Sequence, residues 1–108
     1  TALTSITLSN GITEIGNNLL YNCTSLTIVT IPDGVTAIGG AVFRGCTSLA
    51  TVILPSSLET IGASAFNGCK LLSDINYKGT FDQWNLIEVG SSNSNLTNAS
   101  IHYNWIEE

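Results

Sequence analysis

Leu49-Ala50-Thr51-Val52-Ile53-Leu54-Pro55-Ser56-Ser57-Leu58-Glu59-Thr60-Ile61-Gly62-Ala63-Ser64-Ala65-Phe66-Asn67-Gly68-Cys69 repeats the chemical pattern of the stretch from Leu26 to Cys46 that precedes it. The same interval runs through most of the chain. Leu3, Leu26, Leu49 and Leu72 form one series; Ile6, Val29, Val52 and Ile75 form another, followed by Leu8, Ile31, Leu54 and Tyr77. Further series are Ile12, Val35, Leu58 and Phe81, then Ile15, Ile38, Ile61 and Trp84. Gly16, Gly39 and Gly62 follow, then Leu20, Phe43 and Phe66, and lastly Cys23, Cys46 and Cys69. Self-similarity at one fixed period of this size is the signature of stacked repeats.

Each unit has a physical reading. Leu26-x-x-Val29-x-Ile31 ends in the alternation of a short half-buried strand. Pro32-Asp33-Gly34, and Pro55-Ser56-Ser57 one unit later, turn the chain. Val35-Thr36-Ala37-Ile38 alternates again on the opposite side, and Gly39 interrupts it. Ala41 to Cys46 reads as a compact turn of helical or 3₁₀ character with Phe43 and Cys46 inward. One coil cannot bury its own apolar side, so neighbouring coils must share a continuous core. The expected fold is a mainly β, right-handed repeat solenoid with one parallel strand per ~23-residue coil. Short extended or helical turns face that strand. The whole chain, 1–108, is read as one domain with coils 3–25, 26–48, 49–71 and 72–95 and a capping coil 96–108.

The period loosens after Leu72. Tyr77, Phe81 and Trp84 replace aliphatics and are assigned to inward columns, where they close the core. One added residue restores the strand pattern as Leu96-x-x-Ala99-x-Ile101, with Asn93 in the place of the cysteines, where its amide can satisfy backbone groups. That makes five strand rungs, the last closed by Trp105 and Ile106. Gly90 to Asn95 reads as a surface loop.

Composition narrows the function classes. The chain carries 3 Lys+Arg against 8 Asp+Glu, a formal net charge of −5; 44% of residues are hydrophobic and only 10% charged. Its polarity comes from 13 Thr, 12 Ser and 11 Asn. Disordered chains are poor in apolar residues, so disorder does not fit. Three cations provide no basic footprint for nucleic acid or anionic membrane, and no apolar run reaches the ~20 residues of a membrane helix. The chain opens at Thr1 without a leader pattern and is expected to be the last five coils of something longer.

Units such as Leu54 to Cys69 resemble the BspA-type (Treponema-type) leucine-rich repeat, and the resemblance extends over residues 3–108. Tyr77-Lys78-Gly79-Thr80 with Gln83-Trp84, followed by Leu96-Thr97-Asn98-Ala99-Ser100-Ile101-His102-Tyr103, is similar to the terminal unit of such arrays. The resemblance implies a secreted or cell-surface bacterial protein that binds host matrix proteins or other cells, with a protein or glycan ligand. It implies no catalytic motif, so no enzyme activity is expected, and no cofactor.

The cysteine interval contains no zinc-ligand spacing, so no metal is assigned; the thiols read as a buried apolar ladder. His102, placed in the column of Pro32 and Pro55, reads as a solvated surface histidine. Glu59 and Asp82, one repeat apart, read as a solvated acidic face rather than an acid–base pair. The candidate ligand surface is the strand face: Thr7, Thr30, Ile53, Asn76 and Ser100 in one outward column, Ser5, Ile28, Thr51, Asp74 and Asn98 in the next. Ile28 and Ile53 are the apolar members, read either as a small hot patch for a partner or as β-branched residues that simply suit strands. The alternative is a rigid spacer without a ligand, displaying neighbouring domains. The first coil has no recognisable cap at Leu3-Ile6-Leu8. Either further coils precede it or the chain pairs end to end through that open edge.

Overall fold

The computed structural model describes residues 5–8 and 11–106; for Ser5, Ile6 and Thr7 it describes the backbone alone. Two parallel sheets face each other across one core. The first contains β1 (Ser5–Thr7), β3 (Ile28–Thr30), β5 (Thr51–Leu54), β7 (Asp74–Tyr77) and β9 (Ser100–His102), paired in that order. The second contains β2 (Glu14–Ile15), β4 (Ala37–Ile38), β6 (Thr60–Ile61) and β8 (Glu88–Val89). Ser5 pairs with Ile28, Ile28 with Thr51 and Thr51 with Asp74, so each step equals the interval of the sequence repeat. The expected solenoid with five rungs is the observed architecture.

The inward columns make the core. Leu26, Val29, Ile31, Val35, Ile38, Phe43 and Cys46 of one coil stack on Leu49, Val52, Leu54, Leu58, Ile61, Phe66 and Cys69 of the next, all buried. Phe43 and Phe66 stack with ring centroids 5.0 Å apart, a geometry that adds to plain area burial. The turn that carries them is not a continuous helix. Bonds of the i→i−3 kind, such as Arg44 N–H to Ala41 O and Cys46 N–H to Phe43 O, close successive tight turns. Left-handed residues (Ala41 at φ 56°, Ser64 at 60°, Asn18 at 63°) prevent helical propagation.

The glycine column has a packing reason. A Cβ on Gly62 would stand 2.5 Å from the Gly39 carbonyl carbon and 2.6 Å from Gly40 N, and one on Gly90 would stand 2.6 Å from Ala63 N. Backbones of successive coils touch here, and nothing larger than hydrogen fits.

The last coil differs from its sequence reading. Ile75 pairs with Ile101 rather than Ala99, and Asp74 pairs with Ser100 rather than Asn98. In the second sheet the step from Thr60 to Glu88 is longer than the step from Ala37 to Thr60. Two short helices absorb the extra length: α1 (Phe81–Trp84) and α2 (Ser94–Thr97). Thr80 caps α1 in a reciprocal box with Gln83, which explains where it starts. Leu96 is buried in α2 and does not open the strand, which begins later than the apolar pattern indicates.

Residues 90–95 are not a plain surface loop either. Ser91 and Ser92 are exposed, but Asn93 is not. Asn93, only 4% exposed, accepts from Phe66 N–H at 3.0 Å and donates to the carbonyls of Gly62 (3.0 Å) and Gly90 (2.9 Å). In the preceding coil Phe43 N–H takes the backbone carbonyl of Ala65. Asn93 therefore stands where a carbonyl stood and supplies an amide in its place, and Asn95 does the same for Gly68 N–H at 3.2 Å. The role expected for Asn93 holds: its carbonyl takes Leu96 N–H as the Cys69 carbonyl takes Leu72 N–H, while its side chain fills the place of the Ala65 carbonyl one coil on. Phe81 is not inward: it is 57% exposed on α1 and meets Tyr103 edge-on at 5.3 Å. Trp84 is half-buried against Tyr77, centroids 5.1 Å apart. Tyr77 and Trp84 help to close the core as expected, joined by Ile87 and Leu96, and Ile106 is exposed.

Candidate interaction surface on the strand face

Alternation sets which side chains reach the outer side of the first sheet. With Val29, Val52 and Ile75 committed to the core, Ile28, Thr51 and Asp74 fall in one outward column and Thr30, Ile53 and Asn76 in the next. Ser5 and Thr7 continue these columns by backbone register, but their side chains lie outside the described residues. The lengthened last step changes the far end. Ser100 continues the column of Asp74, not that of Asn76, and Asn98 leaves the face as the C-cap of α2. His102 enters the face beside Asn76 rather than continuing the column of Pro32 and Pro55 in which the repeat pattern puts it.

The two isoleucines diverge. Ile28 is 38% exposed, as expected of an apolar contact residue, whereas Ile53 is 5% exposed and outside the core cluster. It lies in mid-sheet between Thr30 and Asn76, both half-buried. Of the two, Ile28 alone is exposed, and Ile53 is covered in mid-sheet.

Charge on this face is confined to one place. His102 Nε2 and Asp74 Oδ1 are 3.0 Å apart, and the Ser73 hydroxyl also reaches that carboxylate at 3.2 Å. The histidine bond holds the Asp74 carboxyl below its ordinary 3.8 against opposing desolvation, with a smaller contribution from the Ser73 hydroxyl. Beyond the edge of the face, Lys78 reaches back two coils to Asp33 (3.4 Å), crossing the intervening turn at Pro55 and Ser56. Sequence reasoning missed the His102–Asp74 pair because it depends on a register shift that α2 introduces, and no periodic signal marks that shift.

The remaining candidates are separated by the fold. Cys46 and Cys69 are buried, free thiols that donate to carbonyls of Leu20 and Phe43, each at 3.1 Å. Burial raises them to about 11 and about 12 respectively, which suppresses thiolate chemistry at neutral pH. Cys23 is half-buried at the first-coil end. Asp82 stands in the first turn of α1, and the residue in register beyond Glu59-Thr60 is Glu88. Among the described residues no group of three metal-ligand side chains converges, and no helix is long and apolar enough to cross a membrane.

Comparison with known proteins agrees with this architecture. The family described as "BspA type Leucine rich repeat region (6 copies)" matches residues 1–105. No curated protein matches the sequence. A leucine-rich repeat protein from Bacteroides ovatus aligns at 30% identity and TM-score 0.62 over 94% of this chain and 27% of its own. A leucine rich cell surface protein from Faecalibacterium prausnitzii aligns at 24% identity and TM-score 0.63 over 79% of this chain and 35% of its own. A leucine rich repeat protein from T. pallidum aligns at 24% identity and TM-score 0.60, over 87% of this chain and 55% of its own. The present chain thus spans roughly a quarter to just over half the length of these proteins. It belongs to the BspA-type leucine-rich repeat family.

Proposed function

We propose that this chain is a non-enzymatic interaction module, part of a cell-surface or secreted bacterial protein, that binds a protein partner through the strand face. Host matrix proteins and other cells are the partner class, with glycans second. The observation that supports this is the strand face itself. Five rungs in register, ~4.8 Å apart, present Ile28, Thr30, Thr51, Asn76 and Ser100 as an open field of hydrogen-bonding groups around one exposed isoleucine. Sheet faces of repeat proteins are extended binding surfaces because no single element has to fold around the ligand. Neutral amides and hydroxyls give directional contacts with little electrostatic steering, so a contact-dominated, salt-tolerant interaction is expected. The similarity to a cell surface protein of F. prausnitzii supports the location.

The test is a panel of immobilised matrix proteins and glycans probed with the chain, the Thr30→Lys/Asn76→Lys double variant and a Thr47→Lys control on an exposed turn. Binding that survives in the control and is lost in the double variant supports the strand face. Binding indifferent to both refutes it, and absence of binding across the panel leaves the spacer role as the better account.

A further inference from the structure

The irregular fourth coil creates a feature that the regular coils lack. In the second sheet the step from Thr60 to Glu88 exceeds the regular repeat, and α1 occupies the extra length. Between α1 and the third coil lies a notch of about 310 Å³ lined by Ser56, Ser57, Leu58, Glu59, Gln83 and Leu86. That volume is at the small end of ligand sites; it suits one side chain and its flanking peptide rather than a large molecule.

Its lining has a definite chemical order. Leu58 is the buried floor, and Leu86, 80% exposed, is an apolar wall in water. Ser57 is committed, accepting from Gly34 N–H at 3.1 Å and donating to Val35 O at 2.8 Å. Gln83 is held by its Oε1, which accepts Thr80 N–H at 2.8 Å, and its Nε2 has no partner among the described residues. The Glu59 carboxylate and the Ser56 hydroxyl also have none. The surrounding charge is unbalanced. Asp82 adjoins Gln83, Glu88 N–H bonds the Glu59 carbonyl at 3.0 Å, and the ion pairs formed by described residues are elsewhere, at Asp33 and Asp74.

We infer that this notch receives an arginine side chain from an extended segment of a protein partner. The guanidinium pairs with the Glu59 carboxylate, the aliphatic stem lies on Leu86, and the arginine's own backbone carbonyl accepts from Gln83 Nε2. Arginine suits the site because its planar fork matches a carboxylate bidentately and its weak hydration favours contact with an apolar wall. The site is separate from the strand face, so its failure and that of the interaction reading are distinguishable.

The probe is N-acetyl-arginine N-methylamide titrated into the ¹⁵N-labelled chain at low salt, with the neutral citrulline analogue as comparison. Amide shifts at Ser56, Glu59, Gln83 and Leu86 that saturate together are expected, with the citrulline analogue at least tenfold weaker. Glu59→Gln weakens arginine binding at least tenfold, Leu86→Ser weakens it severalfold, and Glu88→Gln changes it less than threefold. All three positions are exposed, and preserved amide spectra verify the fold. Equal binding of the citrulline analogue, shifts spread over all acidic residues, or equal losses in Glu59→Gln and Glu88→Gln would overturn the inference.

Discussion

Replacing Asn93 tests the account of the last coil most directly. Asn93→Ala deletes three hydrogen bonds at a 4% exposed site. The Phe66 N–H loses its acceptor inside the core, and leaving one such buried donor unpaired costs ~1–3 kcal/mol. The Gly62 carbonyl keeps a longer bond from Ala65 N–H at 3.3 Å, so its loss is softened; the Gly90 carbonyl has no such substitute. The two carbonyls together add ~1–2 kcal/mol, for an expected cost of about 2–5 kcal/mol. Against a typical total of about 5–15 kcal/mol, that is a large fraction of the stability, and it corresponds to a drop in Tm on the order of 15 °C. Thermal and urea unfolding, followed by the fluorescence of Trp84 and Trp105, measure it. Asn95→Ala, which removes one partly buried bond to Gly68 N–H, is the internal comparison at ~1 kcal/mol. Asn93→Asp keeps the acceptor but turns a negative charge toward two carbonyls. The introduced carboxyl has a raised folded pKa, so this variant gains stability as pH falls and loses it as pH rises. An Asn93→Ala cost under about 1 kcal/mol, or a larger cost at Asn95, would show that Asn93 does not replace a missing backbone carbonyl.

Leu49→Ala, in mid-stack with no exposure, should cost ~2–5 kcal/mol in urea unfolding through lost transfer energy and cavity; a cost below about 1 kcal/mol contradicts the inward register. Gly62→Ala should lose ~1–3 kcal/mol or more because the new methyl meets backbone rather than a pliant side chain, whereas Gly16→Ala, with nothing within 4 Å of its Cβ, should be neutral or slightly stabilising in the same assay. Cys46 and Cys69, raised from 9.0 to about 11 and about 12, favour the folded state fully below pH 9. That advantage falls as pH rises from 9 toward 12, because the unfolded thiols ionise first. Alkylation at about pH 8 should therefore modify Cys23 well before the other two; equal rates on the folded protein would refute the buried ladder.

The repeat pattern is enough to specify the solenoid, the five rungs, the inward columns and the register of the first four strands. It suffices because the alternation and the fixed interval are chemical constraints repeated in every coil. Leu26, Val29 and Ile31 have the same reason to be apolar as Leu49, Val52 and Leu54. Where the repeat breaks, that redundancy ends. The apolar spacing at Leu96, Ala99 and Ile101 has the look of a strand, but Leu96 is drawn into the core from α2, and with the capping box that starts α1 at Thr80–Gln83 this moves the strand along the chain. Contacts between coils settle the consequences: His102 beside Asn76 and bonded to Asp74, Ile53 covered, Phe81 exposed, and Asn93 standing in for a carbonyl. The notch between α1 and the third coil belongs to the same class. Glu59 and Gln83 stand about one repeat apart in the chain, and they line one notch because an inserted turn of helix leaves a gap that regular coils close.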